Sequence, residues 1–378
     1  MAGISYRLLI DGKPLSTELL AAVQQLEVED HARMADMLRL QMSVAIHENG
    51  EKWTILDEDV FRRLTNITVE VFLDKGQAMT LISSYVIDAH VEFSNNPGNS
   101  VLKVVAMDPT VLMNLDEQVR AWPDMADSDI ASALFSEYGF EAEVETTSIS
   151  HQEIQTKTIQ RGTDIQFLQM LAKRNGYECY VETSLSGGSA RATGHFHKPK
   201  VDERPQGVLT VNMGEATNIN SFKARYDMLK PVIAKATGLE IESQSDQPAM
   251  AEGASLKDLG KSPAAMSDRP RRVLLSGTGL AGTGELQTYA QAVVDESSWA
   301  ITAEGELNTA AYGGILRAKS PVLVRGAGKQ FSGLYYVEKV LHVFAGEGQG
   351  YVQRFALRRN ALGLTKREDF SEDAQIRL

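Results

Sequence analysis

The sequence predicts a mainly β protein carrying an α+β insertion, and three observations lead there. Short runs of period-two hydrophobicity fill residues 1–110, helical periodicity takes over in 111–204, and strand texture returns over 205–362. Short strands separated by turn signals point to antiparallel barrels or sandwiches. The order is therefore β region, insertion, β region, and the two β-rich regions are candidates for distant duplicates of one domain.

Taken in order, Tyr6–Ile10 runs into the turn signal Asp11-Gly12-Lys13, and Val23–Val28 supplies a second, less regular strand. Leu38, Leu40, Met42 and Val44 alternate with polar or small residues, as do Ile67, Val69, Val71 and Leu73. Val86–Phe93 and Val101–Met107 flank Ser94-Asn95-Asn96-Pro97-Gly98-Asn99, which predicts a hairpin. After Asp108-Pro109 the texture changes. Ser128 is the expected cap of a helix with Ile130, Ala133, Leu134 and Tyr138 on one face and Gly139 at its end. In a second helix Thr163 caps, Asp164 suits the positive first turn, and Ile165, Phe167, Leu168, Leu171 and Ala172 form the apolar face. Lys173 and Arg174 suit its last turn and Gly176 stops it. Tyr177–Glu182 and Arg191–His197 then bracket Ser186-Gly187-Gly188-Ser189 as a hairpin. Val208–Val211 and Ile219–Tyr226 restore strands. Residues 240–270 hold few large apolar side chains and predict a mobile loop. Leu286, Tyr289, Ala290, Val293 and Val294 predict a helix over 285–299, glycine-broken strands follow over 315–358, and 363–378 is a C-terminal tail.

Composition narrows the function. At roughly 150 residues per domain, 378 residues make two to three domains, and 43% hydrophobic content supplies a core. With 38 basic against 50 acidic side chains, the net charge of −12 argues against a general binder of nucleic acid or anionic membrane. No run approaches the roughly 18 apolar residues of a membrane span. The start, MAGISYRLLIDGK, lacks a basic region and cleavage site, so no signal peptide is expected. A single cysteine, Cys179, excludes an internal disulfide and a cysteine-based zinc site, as expected of a chain made in a reducing cytoplasm.

Motifs give no catalytic constellation. Gly277-Thr278-Gly279-Leu280-Ala281-Gly282 matches GxGxxG, but no alternating βαβ series surrounds it, so it reads as a flexible helix entry. His195 and His197 share a strand face; with no carboxylate or third histidine nearby in sequence, they read as surface histidines at a hairpin end. Asp57-Glu58-Asp59 reads as a solvated loop, and Cys179 as a buried, inert thiol. No GxSxG, HExxH or P-loop is present, and no cofactor is implied.

Three segments together carry a family resemblance. Residues 160–181, QRGTDIQFLQMLAKRNGYECYV, present a capped FLxxLA helix, a glycine stop and a strand, through Thr163, Asp164, Phe167, Leu168, Leu171, Ala172, Gly176 and Val181. Residues 331–358 present a closing hairpin through Phe331, Ser332, Gly333, Tyr335, Val337, Val340 and His342, continued by Tyr351, Phe355 and Arg358. Residues 101–112, VLKVVAMDPTVL, present a strand ending at Asp108. In this order they resemble the phage late control protein D group, the baseplate hub proteins of contractile tails and the hub portion of VgrG-type spikes. The resemblance implies two tube-like antiparallel β-barrels plus a small α+β domain, a homotrimer with an axial channel, and structural rather than catalytic roles for the motif residues. It implies as partners an inner tube protein, a separate spike protein and other baseplate components within a phage tail or injection particle. VgrG-type chains continue into a needle, whereas this sequence ends at Leu378, so a stand-alone hub is expected. Two other classes stay open: a cell-wall hydrolase attached to such a machine, and a carbohydrate-binding module, against which Trp53, Trp122 and Trp299 lie far apart in sequence.

Overall fold

The structure is a computed structural model that describes residues 4–46, 53, 55–57, 59–72, 78–96, 98–149, 158–186, 189–239, 246–264, 269–276, 280, 283–345, 350–365, 368 and 370. It is mainly β. The first β-unit contains β1 (Ser5–Ile10), β2 (Lys13–Pro14), the short helix α1 (Thr17–Ala21), β3 (Val23–His31), β4 (Met37–Ser43), β5 (Asn66–Phe72), β6 (Ala78–Glu92) and β7 (Val101–Met107). Their lateral order is β3-β4-β7-β6-β5-β1-β2. The period-two pattern explains which face closes: Leu38, Leu40 and Met42 are buried with Ile67, Val69 and Val71, while Arg39 and Gln41 point away.

The α+β insertion begins with a tight turn over Pro109–Asn114 and continues through β8 (Glu117–Trp122), α2 (Asp127–Glu137), β9 (Glu141–Val144), β10 (Thr158–Thr163), α3 (Asp164–Asn175), β11 (Glu178–Ser186) and β12 (Ser189–His197). β8 pairs with β10, and β12 lies between β11 and β9. Alternation splits this second sheet. Cys179, Val181 and Phe196 face α2 and α3, where Phe135, Phe167, Leu168 and Leu171 complete a core. Ser128 is not the cap of α2: that position is Ala126, and the Ser128 N–H donates to the Thr147 hydroxyl instead, at 3.2 Å.

The second β-unit contains β13 (Val208–Thr210), β14 (Ile219–Tyr226), β15 (Val232–Leu239), β16 (Asp246–Ala251), β17 (Ser262–Pro263), β18 (Arg271–Leu275), α4 (Thr283–Ser298), β19 (Ile301–Leu307), α5 (Thr309–Tyr312), β20 (Pro321–Arg325), α6 (Gly328–Phe331), β21 (Gly333–Ala345), β22 (Tyr351–Arg359) and β23 (Ala361–Leu362). Its main strands follow β14-β19-β22-β21-β20-β13. Replacing β3, β4, β7, β6, β5 and β1 by β14, β19, β22, β21, β20 and β13 turns one order into the other with chain order preserved. Irregularities repeat too. Extra residues Gln24 and Asn220 bulge at the start of β3 and β14, and Ile87 and Glu338 bulge at matching points of β6 and β21. One difference stands: β1 meets β5 antiparallel, whereas β13 meets β20 in parallel. Each unit has its own core.

The stretch expected to be a mobile loop over 240–270 includes strands at Asp246–Ala251 and Ser262–Pro263 among its described residues. β16 pairs with β15, β15 pairs in parallel with β18, and Ala234, Ala236, Ala249 and Ala251 pack under Leu286, Ala290 and Val294 of α4. The sequence reading missed these strands because it counted large apolar residues. An alanine face buries little area per residue but lets a helix approach closely. Residues 240–245 and 265–268, the GxGxxG segment apart from Leu280, and 371–378 of the tail lie outside the described residues.

Candidate functional site: assembly edges and a buried ionic junction

The motif residues divide between packing and capping. Phe167, Leu168 and Leu171 are buried in the insertion core, and Gly176 ends α3 in the left-handed conformation. Thr163 occupies the N-cap; Gln166 reaches back to its N–H at 3.5 Å, and its hydroxyl donates to Asn114 Oδ1 at 2.8 Å. Asp164 is buried and accepts from the Tyr138 hydroxyl (2.6 Å) and Gln160 Nε2 (2.5 Å). Tyr335, fully buried, donates its hydroxyl to the Phe331 carbonyl at 2.8 Å. Gly333 opens β21 at φ +131°, where a Cβ would stand 2.5 Å from Arg359 Nη2. His342 is fully buried, its Nδ1 2.6 Å from the Tyr351 hydroxyl; burial pushes its pKa down to about 3, so it is neutral.

Asp108 lies in a different place, at a junction between the two β-units and the insertion. Its carboxylate accepts from the Asp36 N–H (2.7 Å) and the Thr110 N–H (2.8 Å). Asp36 in turn accepts from the Lys319 ammonium at 2.9 Å, and the same ammonium reaches Asp30 at 2.6 Å and Glu182 of β11 at 3.6 Å. Arg317 donates to the other oxygen of Asp30 at 2.7 Å. Asp30, Asp36 and Lys319 are all buried. Burial alone would raise the pKa of Asp30, but Arg317 and Lys319 outweigh it and hold the carboxyl below its ordinary range. A second link joins β11 to β21 and β22: Glu178 accepts from the Tyr336 hydroxyl (2.6 Å) and Arg358 (2.5 Å), with Arg358 over the Trp299 ring. Neither cluster was foreseen from the sequence. Breaking one partner of such a pair strands a buried charge, so these links fix the units relative to one another.

The sheets leave edges. Within the chain, β3 pairs with the outer half of β21, from Lys339↔His31 to Ala345↔Gln25, and Lys339 bridges Glu29 at 2.9 Å. By the repeat, β14 corresponds to β3 and the outer half of β6 to that of β21. Among the described residues, no strand pairs with the outer side of β14, nor with β6 beyond Val86 on its β5 side. Ile87 is 42% and Phe93 65% exposed. The β14 edge carries Lys223 and Arg225, and the β6 edge carries Asp88, His90 and Glu92, with Lys103 on Glu92 at 2.5 Å.

Comparison with known proteins agrees with this architecture. Residues 2–345 match the family described as the Alg8 N-terminal domain. No curated protein matches the sequence. Among solved structures, the 43 kDa tail protein of prophage MuSo2 from Shewanella oneidensis is similar at TM-score 0.67 and 13% identity, over 95% of this chain and 100% of that one. A tail protein from Neisseria meningitidis gives 0.62 and 12%, over 95% and 97%. The E. coli c3393 protein, described as a type VI secretion component structurally similar to T4 tail proteins, gives 0.54 and 10%, over 97% and 80%. The likeness is one of fold, the fold of phage tail proteins, as the resemblance to baseplate hubs implied. Nearly the whole chain lies within the matched region, and it belongs to the Alg8 N-terminal domain family.

Proposed function

We propose that the chain is the structural hub of a phage-like tail or contractile injection machine, joining a six-fold inner tube to a three-fold spike without catalysing a reaction. The tail-protein fold supports a structural tail or baseplate role. The observation that carries the finer reading is the pair of matching free edges on a duplicated sheet. In the proposed ring, β14 of one copy pairs with the outer half of β6 of the next, as β3 pairs with β21 inside each chain. Three copies then present six β-units around a channel, so a three-fold assembly meets a six-fold tube. The interface is heterologous, and the pairing covers both of these edges in every copy.

The bulges fix the register. Aligning Asn220 with Gln24 and Ile87 with Glu338 sets Val91 opposite Ala224, Glu92 opposite Lys223, and the exposed Phe93 opposite Phe222. Asp88 then faces Asp227 with Arg225 on the diagonal, repeating the internal Lys339–Glu29 pair with its signs reversed. Facing residues of antiparallel strands lie about 4.5–5.5 Å apart at Cα, within disulfide reach. Oxidation of the Val91→Cys/Ala224→Cys variant should therefore give covalent species ending at three chains, while each single variant gives none; buried Cys179 does not compete. A double variant that stays a single chain at every concentration, with tube and spike proteins added, refutes the pairing.

A further inference from the structure

The polar face of the insertion sheet carries a cluster that neither the core nor the assembly edges use. β9 joins β12 in parallel with Glu143 opposite His195, and His197 lies two residues on, on the same face. The histidines are not surface residues at a hairpin end: they are 6% and 5% exposed, and the carboxylate that the local sequence lacked arrives from β9. One donor atom from each of Glu143, His195 and His197 falls within 4.8 Å of the others. We propose that these three side chains bind a divalent transition-metal ion, zinc above all, clamping the four-residue strand β9 onto β12.

The chemistry of each group fits. His195 Nδ1 is buried and makes no hydrogen bond; Glu143 Oε2 stands 3.4 Å from it. That spacing suits two ligands of one tetrahedral ion, since bonds of about 2.0–2.1 Å place their ends roughly 3.3 Å apart. The other nitrogen, Nε2, faces Glu182 at 3.8 Å, the carboxylate position that commonly orients a ligating histidine. His197 donates its Nδ1–H to the Lys198 carbonyl at 2.7 Å, which fixes the tautomer and leaves the Nε2 lone pair, now 3.3 Å from the Tyr180 hydroxyl. The Tyr180 ring stacks on His195 at 4.5 Å and holds its plane. Lys200 takes the other oxygen of Glu143 at 2.5 Å, so Oε2 remains for the ion. Two imidazoles and one carboxylate suit zinc better than calcium or magnesium, and three protein ligands leave a position for water.

The test uses the full chain, stripped with chelator and titrated with zinc chloride in a calorimeter, with thermal melting in parallel. One zinc per chain and a raised melting temperature are expected. Glu143→Gln, at an exposed position, and the double variant His195→Gln/His197→Gln should each weaken binding by more than the roughly 10–100-fold seen when only a residue supporting a ligand is lost. His90→Gln, on β6, should leave binding unchanged. If the double variant does not fold by circular dichroism, Glu143→Gln alone decides. No zinc uptake by the native chain, or uptake that Glu143→Gln does not weaken, overturns the proposal.

Discussion

Replacing Lys319 by Met tests whether the ionic junction holds the fold together. Lys319 is 4% exposed and reaches Asp30 at 2.6 Å, Asp36 at 2.9 Å and Glu182 at 3.6 Å. Methionine keeps the length and apolar stem but removes the ammonium. Asp30 is left with Arg317 and the Ala318 N–H, and Asp36 with the His31 N–H. Removing one partner from a buried ion pair costs about 3–5 kcal/mol, because the stranded charge is neither solvated nor neutralised. Urea unfolding followed by tryptophan fluorescence reads the change, since Trp299 and Trp122 are buried. The double variant Asp36→Asn/Lys319→Met should recover much of the loss, because it leaves Asp30 paired with Arg317 and neutralises the carboxylate that the ammonium had held. The pH dependence combines Asp36 and Asp108, whose carboxyls burial pushes up so that their contribution is lost as pH rises, with the opposite contribution of Asp30. Its folded pKa is depressed, so its contribution is complete above its unfolded value near 3.9 and is lost as pH falls from there. A Lys319→Met loss under about 1 kcal/mol, or an Asp36→Asn/Lys319→Met variant no better than the single, refutes the reasoning.

Three further outcomes follow from the packing. Phe167→Ala removes a ring that is 2% exposed in the insertion core and should cost about 3–5 kcal/mol in chemical denaturation; an unchanged midpoint would make that helix face a partner surface. Gly194→Ala places a Cβ 2.3 Å from the Phe135 ring and should lower stability by about 1–3 kcal/mol, with Phe135→Leu in the same chain relieving part of it. His342 has a folded pKa of about 3 against roughly 6.5 unfolded, so its stabilising contribution is complete above 6.5 and is lost as pH falls toward 3. His342→Gln should flatten the stability-versus-pH slope between pH 6 and 4 by about 1.4 kcal/mol per unit, leaving the slope from His195, which titrates near 4.

Local pattern carried most elements into view and stopped where contacts become long-range. Strand limits such as Ile219–Tyr226 and Val101–Met107, and the α3 cap and stop, depend on residues a few positions apart. Asp30 and Lys319 are 289 positions apart, and nothing in either neighbourhood marks them as partners. Glu143 sits in a four-residue strand whose parallel pairing with β12 has no sequence signature, so His195 and His197 looked solitary. The alanine sheet under α4 escaped for another reason: helix proximity, not side-chain size, makes it a core. The duplication itself was legible only as texture, because the evidence for it is strand order and bulge position rather than residue identity.

The insertions explain why the proposed edges stay open. The α+β segment follows β7, and the alanine sheet with α4 sits between β14 and β19, where the first unit has only the short connection from His31 to Met37. The two insertions meet: α3 packs on α4, and a Cβ on Gly176 would lie 3.4 Å from Ala292. Among the described residues they pack on each other, and neither adds a strand to β14 or to the outer half of β6. An uncovered edge invites indiscriminate pairing, and charge is the usual defence. Here Lys223 and Arg225 would repel a second β14, and Asp88 and Glu92 a second β6. Opposite signs meet only when β14 of one copy approaches β6 of another, which is the pairing that propagates around a ring in one direction. Reversing one side alone, Lys223→Glu/Arg225→Glu, should block that assembly, and adding Asp88→Lys/Glu92→Lys should restore it; failure of the restoring pair in sedimentation would show that the edges do not meet.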